Sequence, residues 1–431
     1  MLTLNEQNIN YGAMLITLPE TYPLEKCDNI KGVKILGNQV LVRKESLPGE
    51  LGIYFPVESQ ICDEFLFKNN LYSDPLRNKD VNKRGYFLNS GRVRAQTFRG
   101  HKSEGFYLPE SCLEAFENFK LLKDPLRYTD VEFDSINGIQ LCQKYFVAPV
   151  RSVGAENVQK LTKNIEERIV PGQFQFHSKT THFAKIADSL SDDTEIVITE
   201  KMHGTSAIIA NLLIQKELSF FERLAVKLGL PIVSQKYAII WASRRIIKGI
   251  DTSLNKPGYY KTDIWGEVKD EIKDKIPKGY TIYGEITGYA SAFRAIQKAY
   301  VYNALRGQHD FHVYRVTHTN VDGFVTELSF AQMQSFCAAQ DLATVPLYYK
   351  GPIKNYSSQS SNRNFFEKLK DDLEMYADNQ VKHGKMPMEG FVVRADLNGV
   401  CCMFKIKSSA FLQHKTKMLD SGEDDMETAQ E

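Results

Sequence analysis

Midway along the chain a run of strand-forming residues, Glu195 to Thr199, ends in Glu-Lys and continues His-Gly-Thr-Ser, so that Glu200 to Ser206 read E-K-M-H-G-T-S. A lysine where an apolar strand ends is either a solvated rim charge or a nucleophile held in a pocket. Further on, other strand-like runs carry charges that an apolar core would exclude. Arg244 follows Trp-Ala-Ser, Glu285 sits inside Y-G-E-I-T-G, Glu389 precedes G-F-V-V-R, and Lys405 and Lys407 alternate in F-K-I-K. A strand's period of two puts Lys405 and Lys407 on one face and Phe404 and Ile406 on the other. Two ammonium groups side by side are costly unless an anion lies between or above them. A nucleoside triphosphate would be such an anion. Desolvation and neighbouring cations would then favour the unprotonated, nucleophilic form of Lys201. Carboxylates at Glu285 and Glu389 would have two jobs, accepting hydrogen bonds from ribose hydroxyls and holding a hydrated Mg²⁺ against the phosphates. Together these residues describe attack of a lysine on an α-phosphate with pyrophosphate expelled.

Such residues need strands to carry them. β-Branched and aromatic runs predict strands over 237–245, 279–289, 310–316, 390–396 and 399–407. The segment 181–190 reads as a helix leading into the lysine-bearing strand, and the apolar, lysine-bearing run 217–230 as a helical insertion. Ahead of these, residues 33–61 and 85–109 are short β-rich runs broken by Gly and Pro, the pattern of a strand meander and of a small OB-like barrel. Arg77, Lys79, Lys83, Arg84, Arg92, Arg94, Arg99 and Lys102 crowd this region, with Phe87 and Phe98 among them. Positive charge tracks phosphates and aromatic faces stack bases. A junction is expected near residue 150, and the end from Asp420 onward is acidic without apolar periodicity, a disordered tail.

The totals bound the class of protein. At 431 residues, two domains are expected. The 42% apolar and 25% charged residues are ordinary for a globular chain. A net charge of +1 carries no nucleic-acid signal, so a basic footprint must be local. Seven cysteines without a C-x-x-C pair or a zinc-like Cys/His spacing read as reduced thiols. With no stretch approaching the ~20 apolar residues of a bilayer span and no leader pattern, we expect a soluble cytoplasmic protein without membrane contact.

The pieces taken together resemble the covalent nucleotidyltransferases, the superfamily of polynucleotide ligases and capping enzymes. E-K-M-H-G-T-S looks like their motif I, and its Lys-x-His-Gly-Thr form looks like the RNA-ligase branch that repairs nicked duplexes and edits RNA. Ala-Ser-Arg after a strand, Y-G-E-I-T-G, D-F-H-V-Y-R-V, M-E-G-F-V-V-R and F-K-I-K follow in the family's order over residues 200–407. R-G-H-K-S-E-G-F-Y-L-P resembles the amino-terminal OB-type domain of the Deinococcus-type RNA ligases. The resemblance implies an α+β fold: residues 1–150 an OB-like nucleic-acid-binding domain, 151–412 an ATP-grasp-like adenylyltransferase domain of antiparallel sheets with flanking helices, 413–431 an acidic tail.

It also implies roles. Lys201 would become lysyl-AMP, Glu200 would lie near the adenine edge, and His203 would help the later steps. Gly204 would let the backbone approach the nucleotide. Arg244, with Arg245 competing, would sit beside the ribose and the RNA 5′-phosphate. Glu285 would take a ribose hydroxyl and Glu389 the metal-bound waters, while Lys405 and Lys407 neutralise the α-phosphate. Tyr314 stands where the family has a stacking phenylalanine followed by aspartate; here Arg315 follows, and Phe311 is the alternative stacker. Ser206 stands where nick-sealing relatives carry asparagine. The expected activity is ATP-dependent joining of RNA 3′-hydroxyl and 5′-phosphate ends with Mg²⁺ or Mn²⁺, on RNA or an RNA-containing nicked duplex, by a monomer. A capping-type guanylyltransferase, a DNA ligase and a non-catalytic nucleic-acid-binding protein remain alternatives, although the capping enzymes normally carry their OB-type domain after the catalytic half.

Overall fold

The computed structural model describes residues 1–114, 125–146, 166–177, 180–251, 260, 262–298, 300–357, 365–379, 386–397 and 400–422. The fold is mixed α+β with largely antiparallel sheets. Buried apolar clusters divide it into a β-rich N-terminal half, whose two cores draw on residues 13–142, and a C-terminal half whose three cores draw on residues 183–406, 207–337 and 208–283.

Two sheets build the C-terminal half. The first has five strands, in the order Thr181–His182, Val400–Lys407, Gly390–Leu397, Glu195–Lys201, Leu347–Pro352. Its pairings are antiparallel except the first, which is parallel. Alternation decides its two faces. Ile196, Ile198, Phe391, Val393, Phe404 and Ile406 turn to one side and join an apolar cluster. Each such side chain contributes roughly 1.5–3 kcal/mol when fully buried. Helix Phe365–Asn379 closes that cluster with Phe365, Leu369, Leu373 and Ala377, an i, i+4 stripe. Val197, Thr199, Lys201, Val392, Arg394, Met403, Lys405 and Lys407 turn the other way, into a cavity.

The second sheet has seven strands. Thr205–Gln215 lies between Gln235–Ala242 and Tyr280–Ser291, and His309–Thr319 pairs beyond the latter. Helices Ile264–Ile272 and Phe330–Ala339 cover one face through Ile264, Val268, Ile272, Phe330 and Met333. Each helix begins at a side-chain cap. Asp263 accepts from the Gly266 N–H at 3.1 Å, and Ser329 and Gln332 form a capping box.

The predicted strands appear with bounds shifted by a few residues, and the helical insertion is the helix Phe220–Lys227. The helix expected over 181–190 is not formed. That stretch is a two-residue strand followed by the 3₁₀ turns Phe183–Lys185 and Ala187–Ser189, because Phe183 drops into the core beneath the five-stranded sheet. In the N-terminal half the expected meander forms strands Ile30–Ile35, Asn38–Arg43, Leu51–Phe55 and Ser59–Ile61. Its pairings among the described residues are separate small sheets without barrel closure.

The basic stacking surface expected there is also rearranged. Phe87 is fully buried in the core and presents no face to a base. Arg92 is 3% exposed and reaches Asp420 at 2.5 Å, and Arg94 pairs with the same carboxylate at 3.6 Å. The reason is helix Ser409–Asp420, which follows directly on the Val400–Lys407 strand and packs across the N-terminal half. This helix crosses the boundary expected at 412/413. The junction near residue 150 and the tail beyond Gly422 lie outside the described residues. Among the described residues no helix is long and apolar enough to cross a membrane.

Candidate active site

The register of the five-stranded sheet places Lys201, Gly390 and Lys407 opposite one another on three adjacent strands, and Thr199, Val392 and Lys405 two residues along. Aligned residues of neighbouring strands share a face. Three lysines therefore project into one cavity, with a glycine in the middle of the row. A Cβ on Gly390 would lie 1.9 Å from the Ile406 carbonyl oxygen, so no other residue fits while the strands keep this spacing.

The second sheet supplies the opposite wall. Ser206 and Glu285 are register partners, and the Glu285 carboxylate accepts from the Gly204 N–H and from the Ser206 hydroxyl, both at 3.1 Å. This fixes the turn after Lys201 to the strand carrying Glu285. Gly204 is required by close approach, since its Cβ would lie 2.2 Å from the Ile286 carbonyl oxygen. Its own carbonyl accepts from Gln297 at 2.8 Å. Arg244, Arg245, Tyr314 and Arg315 line the same cavity, and Glu200 lines it while 6% exposed.

Lys201 Nζ is 2.7 Å from Glu389 Oε1, and His203 Nδ1 is 3.2 Å from the other oxygen of that fully buried carboxylate. The flanking lysines expected from the F-K-I-K alternation are present in the cavity, but the carboxylate of Glu389 is in direct contact with the Lys201 amine. The amine is thus held by a carboxylate and not only flanked by cations. His203 stands behind Lys201, outside the main cavity. Its ring packs edge-on against Tyr300 and Phe411 at 4.7 and 5.0 Å, and its backbone N–H donates to the Tyr302 hydroxyl at 2.7 Å.

Of the two stacking candidates, Tyr314 lines the cavity and Phe311 does not. Phe311 packs in the core against the backbone of Gly284, whose Cβ would lie 2.4 Å from its ring. A register shift between Tyr283 and Gly284 leaves Tyr314 unpaired on its strand and re-aims it. The Tyr314 hydroxyl bonds His177 Nδ1 at 2.9 Å, and burial, with Arg244 and Arg315 beside it, holds the His177 ring pushed down to about 3. His177 is thus neutral at physiological pH. Arg315 is held by Glu327 at 3.0 Å, and Arg394 approaches the same carboxylate at 3.5 Å.

Several lining residues were not singled out from sequence. Period-two alternation in G-F-V-V-R would have placed Arg394 beside Val392. No sequence signal marks His177, nor Gln7, Asn10, Tyr11 and Lys144, which enter the cavity from the N-terminal half. Asn10 joins the halves directly: its side chain donates to the Thr180 carbonyl at 3.1 Å and accepts from the His182 N–H at 2.9 Å. Desolvation, with Lys405, Lys407 and Lys185 nearby, drives the His182 ring well below the ordinary histidine range. Among the described residues no three metal-ligating side chains gather. A divalent ion here would rest on one carboxylate, water and substrate phosphates, the coordination Mg²⁺ favours.

The sequence model of the RNA ligase family matches residues 194–407. No curated protein gave a match. Among solved structures the chain is similar to the RNA ligase of Naegleria gruberi. A mutant with AMP and Mn aligns at 15% identity and a TM-score of 0.56 over 95% of this chain and 99% of that one. A mutant with ATP and Mn aligns at 15% and 0.54 over 97% and 99%, and the enzyme with PPi at 16% and 0.55 over 94% and 98%. At these identities the likeness speaks for the fold.

Proposed function

From the premise that this chain belongs to the RNA ligase family, as an ATP-dependent ligase of the covalent nucleotidyltransferase superfamily, we propose that it joins RNA ends through a lysyl-AMP, sealing nicks in duplexes. The row Lys201–Gly390–Lys407, with Lys405 beside it and Glu285 and Arg244 across the cavity, carries this reading. Lys201 Nζ attacks the α-phosphorus of ATP, a P–N bond forms and pyrophosphate leaves. The AMP then passes to the 5′-phosphate of an RNA strand, giving a 5′-5′ pyrophosphate. A 3′-hydroxyl finally attacks that phosphate, closing the phosphodiester and releasing AMP.

In this scheme Lys405 and Lys407 meet the charge that grows on the α-phosphate, from positions fixed before the substrate arrives. Glu285, held by Gly204 and Ser206, takes a ribose hydroxyl; Arg244 stands by the ribose and the RNA 5′-phosphate. Tyr314 stacks on the base, and Glu200 lies near the adenine edge. His203 serves the later steps. Glu389 would hold the waters of a divalent cation, which when bound supplies charge neutralisation and alignment of the phosphates. Neighbours of this fold solved with ATP and Mn and with PPi support ATP and a divalent cation as cofactors. The β-rich N-terminal half, an OB-like unit in this reading, contributes to the cavity and accompanies the RNA.

Incubation with α-labelled ATP and Mg²⁺ tests the reading. The chain takes label, Lys201→Ala takes none, and a peptide containing Lys201 carries the AMP. Full labelling of Lys201→Ala, or labelling by GTP and not ATP, would overturn it. Nicked duplexes with ribose or deoxyribose at the 3′-hydroxyl side separate RNA from DNA joining, since the 2′-hydroxyl is the distinguishing group.

A further inference from the structure

One carboxylate of the N-terminal half reaches into the catalytic half. Glu58 lies in the turn between strands Leu51–Phe55 and Ser59–Ile61 with φ +70°, a left-handed backbone uncommon for a residue of this type. The turn is held on both sides: the Glu58 N–H donates to the Val93 carbonyl at 3.0 Å, and its carbonyl accepts from the Tyr145 N–H at 2.8 Å. Its carboxylate accepts from Lys407 Nζ at 3.0 Å and from Lys415 Nζ at 2.7 Å. All three residues are less than a tenth exposed.

One carboxylate faces two ammonium groups, and Lys405 lies on the same strand face as Lys407. Had Glu58 served only to cancel Lys407, a second buried lysine on the same carboxylate would be a cost without return. Lys415 lines the small cavity behind His203, whereas Lys407 lines the large one. The carboxylate is thus tethered from behind by Lys415 and grips Lys407 from the side, leaving the row with Lys201 intact.

We propose that Glu58 is a positioning residue for the ligase, fixing the Lys407 ammonium beside Lys201 for the α-phosphate, so that the N-terminal half is needed for the first step and not only for RNA. This rests on the proposed role of Lys407. An ammonium on a four-carbon stem loses much freedom when held, and the carboxylate meets that ordering cost before ATP arrives.

The experiment is single-turnover label transfer from saturating α-labelled ATP, with thermal unfolding followed in parallel. Glu58→Gln slows transfer by about 10²-fold, the cost of a misplacement near 1 Å. Added to Lys407→Gln, it costs nothing further. Lys34→Met breaks another ion pair between the halves, Lys34 with Glu367 at 3.2 Å, and leaves the rate near wild type. Should Glu58→Gln fail to fold, Glu58→Asp keeps the charge but withdraws the carboxylate by one methylene, and its slowed transfer at unchanged melting supports the same conclusion. Wild-type rates in the folded Glu58 variant, or losses that add in the double variant, overturn the proposal. Absent labelling of the wild type, or unimpaired labelling of Lys407→Gln, would instead refute the underlying reading of the site.

Discussion

Gly390 is the position at which fold and chemistry meet most closely. Gly390→Ala adds one methyl group, with no charge and no change in any proposed reacting side chain. That methyl would sit 1.9 Å from the Ile406 carbonyl oxygen and 2.9 Å from its carbon, against the 3.0 Å below which Cβ contacts essentially never fall. The obstructing atoms are backbone, so the strand Val400–Lys407 must retreat by about 1 Å at this point, an overpacking cost of roughly 1–3 kcal/mol. The same retreat moves Lys407 away from Lys201, because the three residues are register partners. A displacement of that size at a reacting centre costs about 10²-fold in rate. Urea unfolding would show a folded protein of lower midpoint, and single-turnover transfer of AMP to protein would show the rate loss. A variant that unfolds as expected but labels at the wild-type rate would refute the row of three as the cradle of the α-phosphate.

Other outcomes follow from the same contacts. Leu369→Ala empties a fully buried position under the five-stranded sheet and should cost about 2–5 kcal/mol in urea unfolding, with labelling retained wherever the protein stays folded. Arg92→Ala should lower stability by about 1 kcal/mol, because the Asp420 carboxylate it leaves behind is solvent-exposed, while leaving the salt dependence of RNA binding unchanged, because Arg92 faces Asp420 rather than solvent. His177 gives a pH signature. Its folded ring takes a proton only near pH 3, whereas an unfolded histidine does so near 6.5. The unfolded chain therefore binds the extra proton between these values, and the stability His177 contributes is complete above about 6.5 and lost as pH falls toward 3. His177→Gln should flatten that part of the urea-midpoint profile; an unchanged profile would place the acid sensitivity elsewhere.

Sequence alone determined what depends on local period and local chemistry. Alternation in F-K-I-K fixed Lys405 and Lys407 to one strand face, and E-K-M-H-G-T-S fixed a strand ending in a lysine. The β-branched runs gave the strands. What lies beyond a strand's own length was not legible. Residues 181–190 have helical composition, yet Phe183 is drawn into a core built in part by strands more than two hundred residues away, and the helix is lost. Arg92, Arg94 and Phe87 look like a nucleic-acid face in one dimension. Only packing decides that Phe87 fills a core and that the arginines meet Asp420. Glu389 against Lys201, Tyr314 rather than Phe311 in the cavity, and Glu58 on Lys407 are likewise decisions of register, bulge and docking. Such contacts join residues as much as 349 positions apart, and their energy comes from burial and charge pairing in space, which a chain's local pattern does not encode.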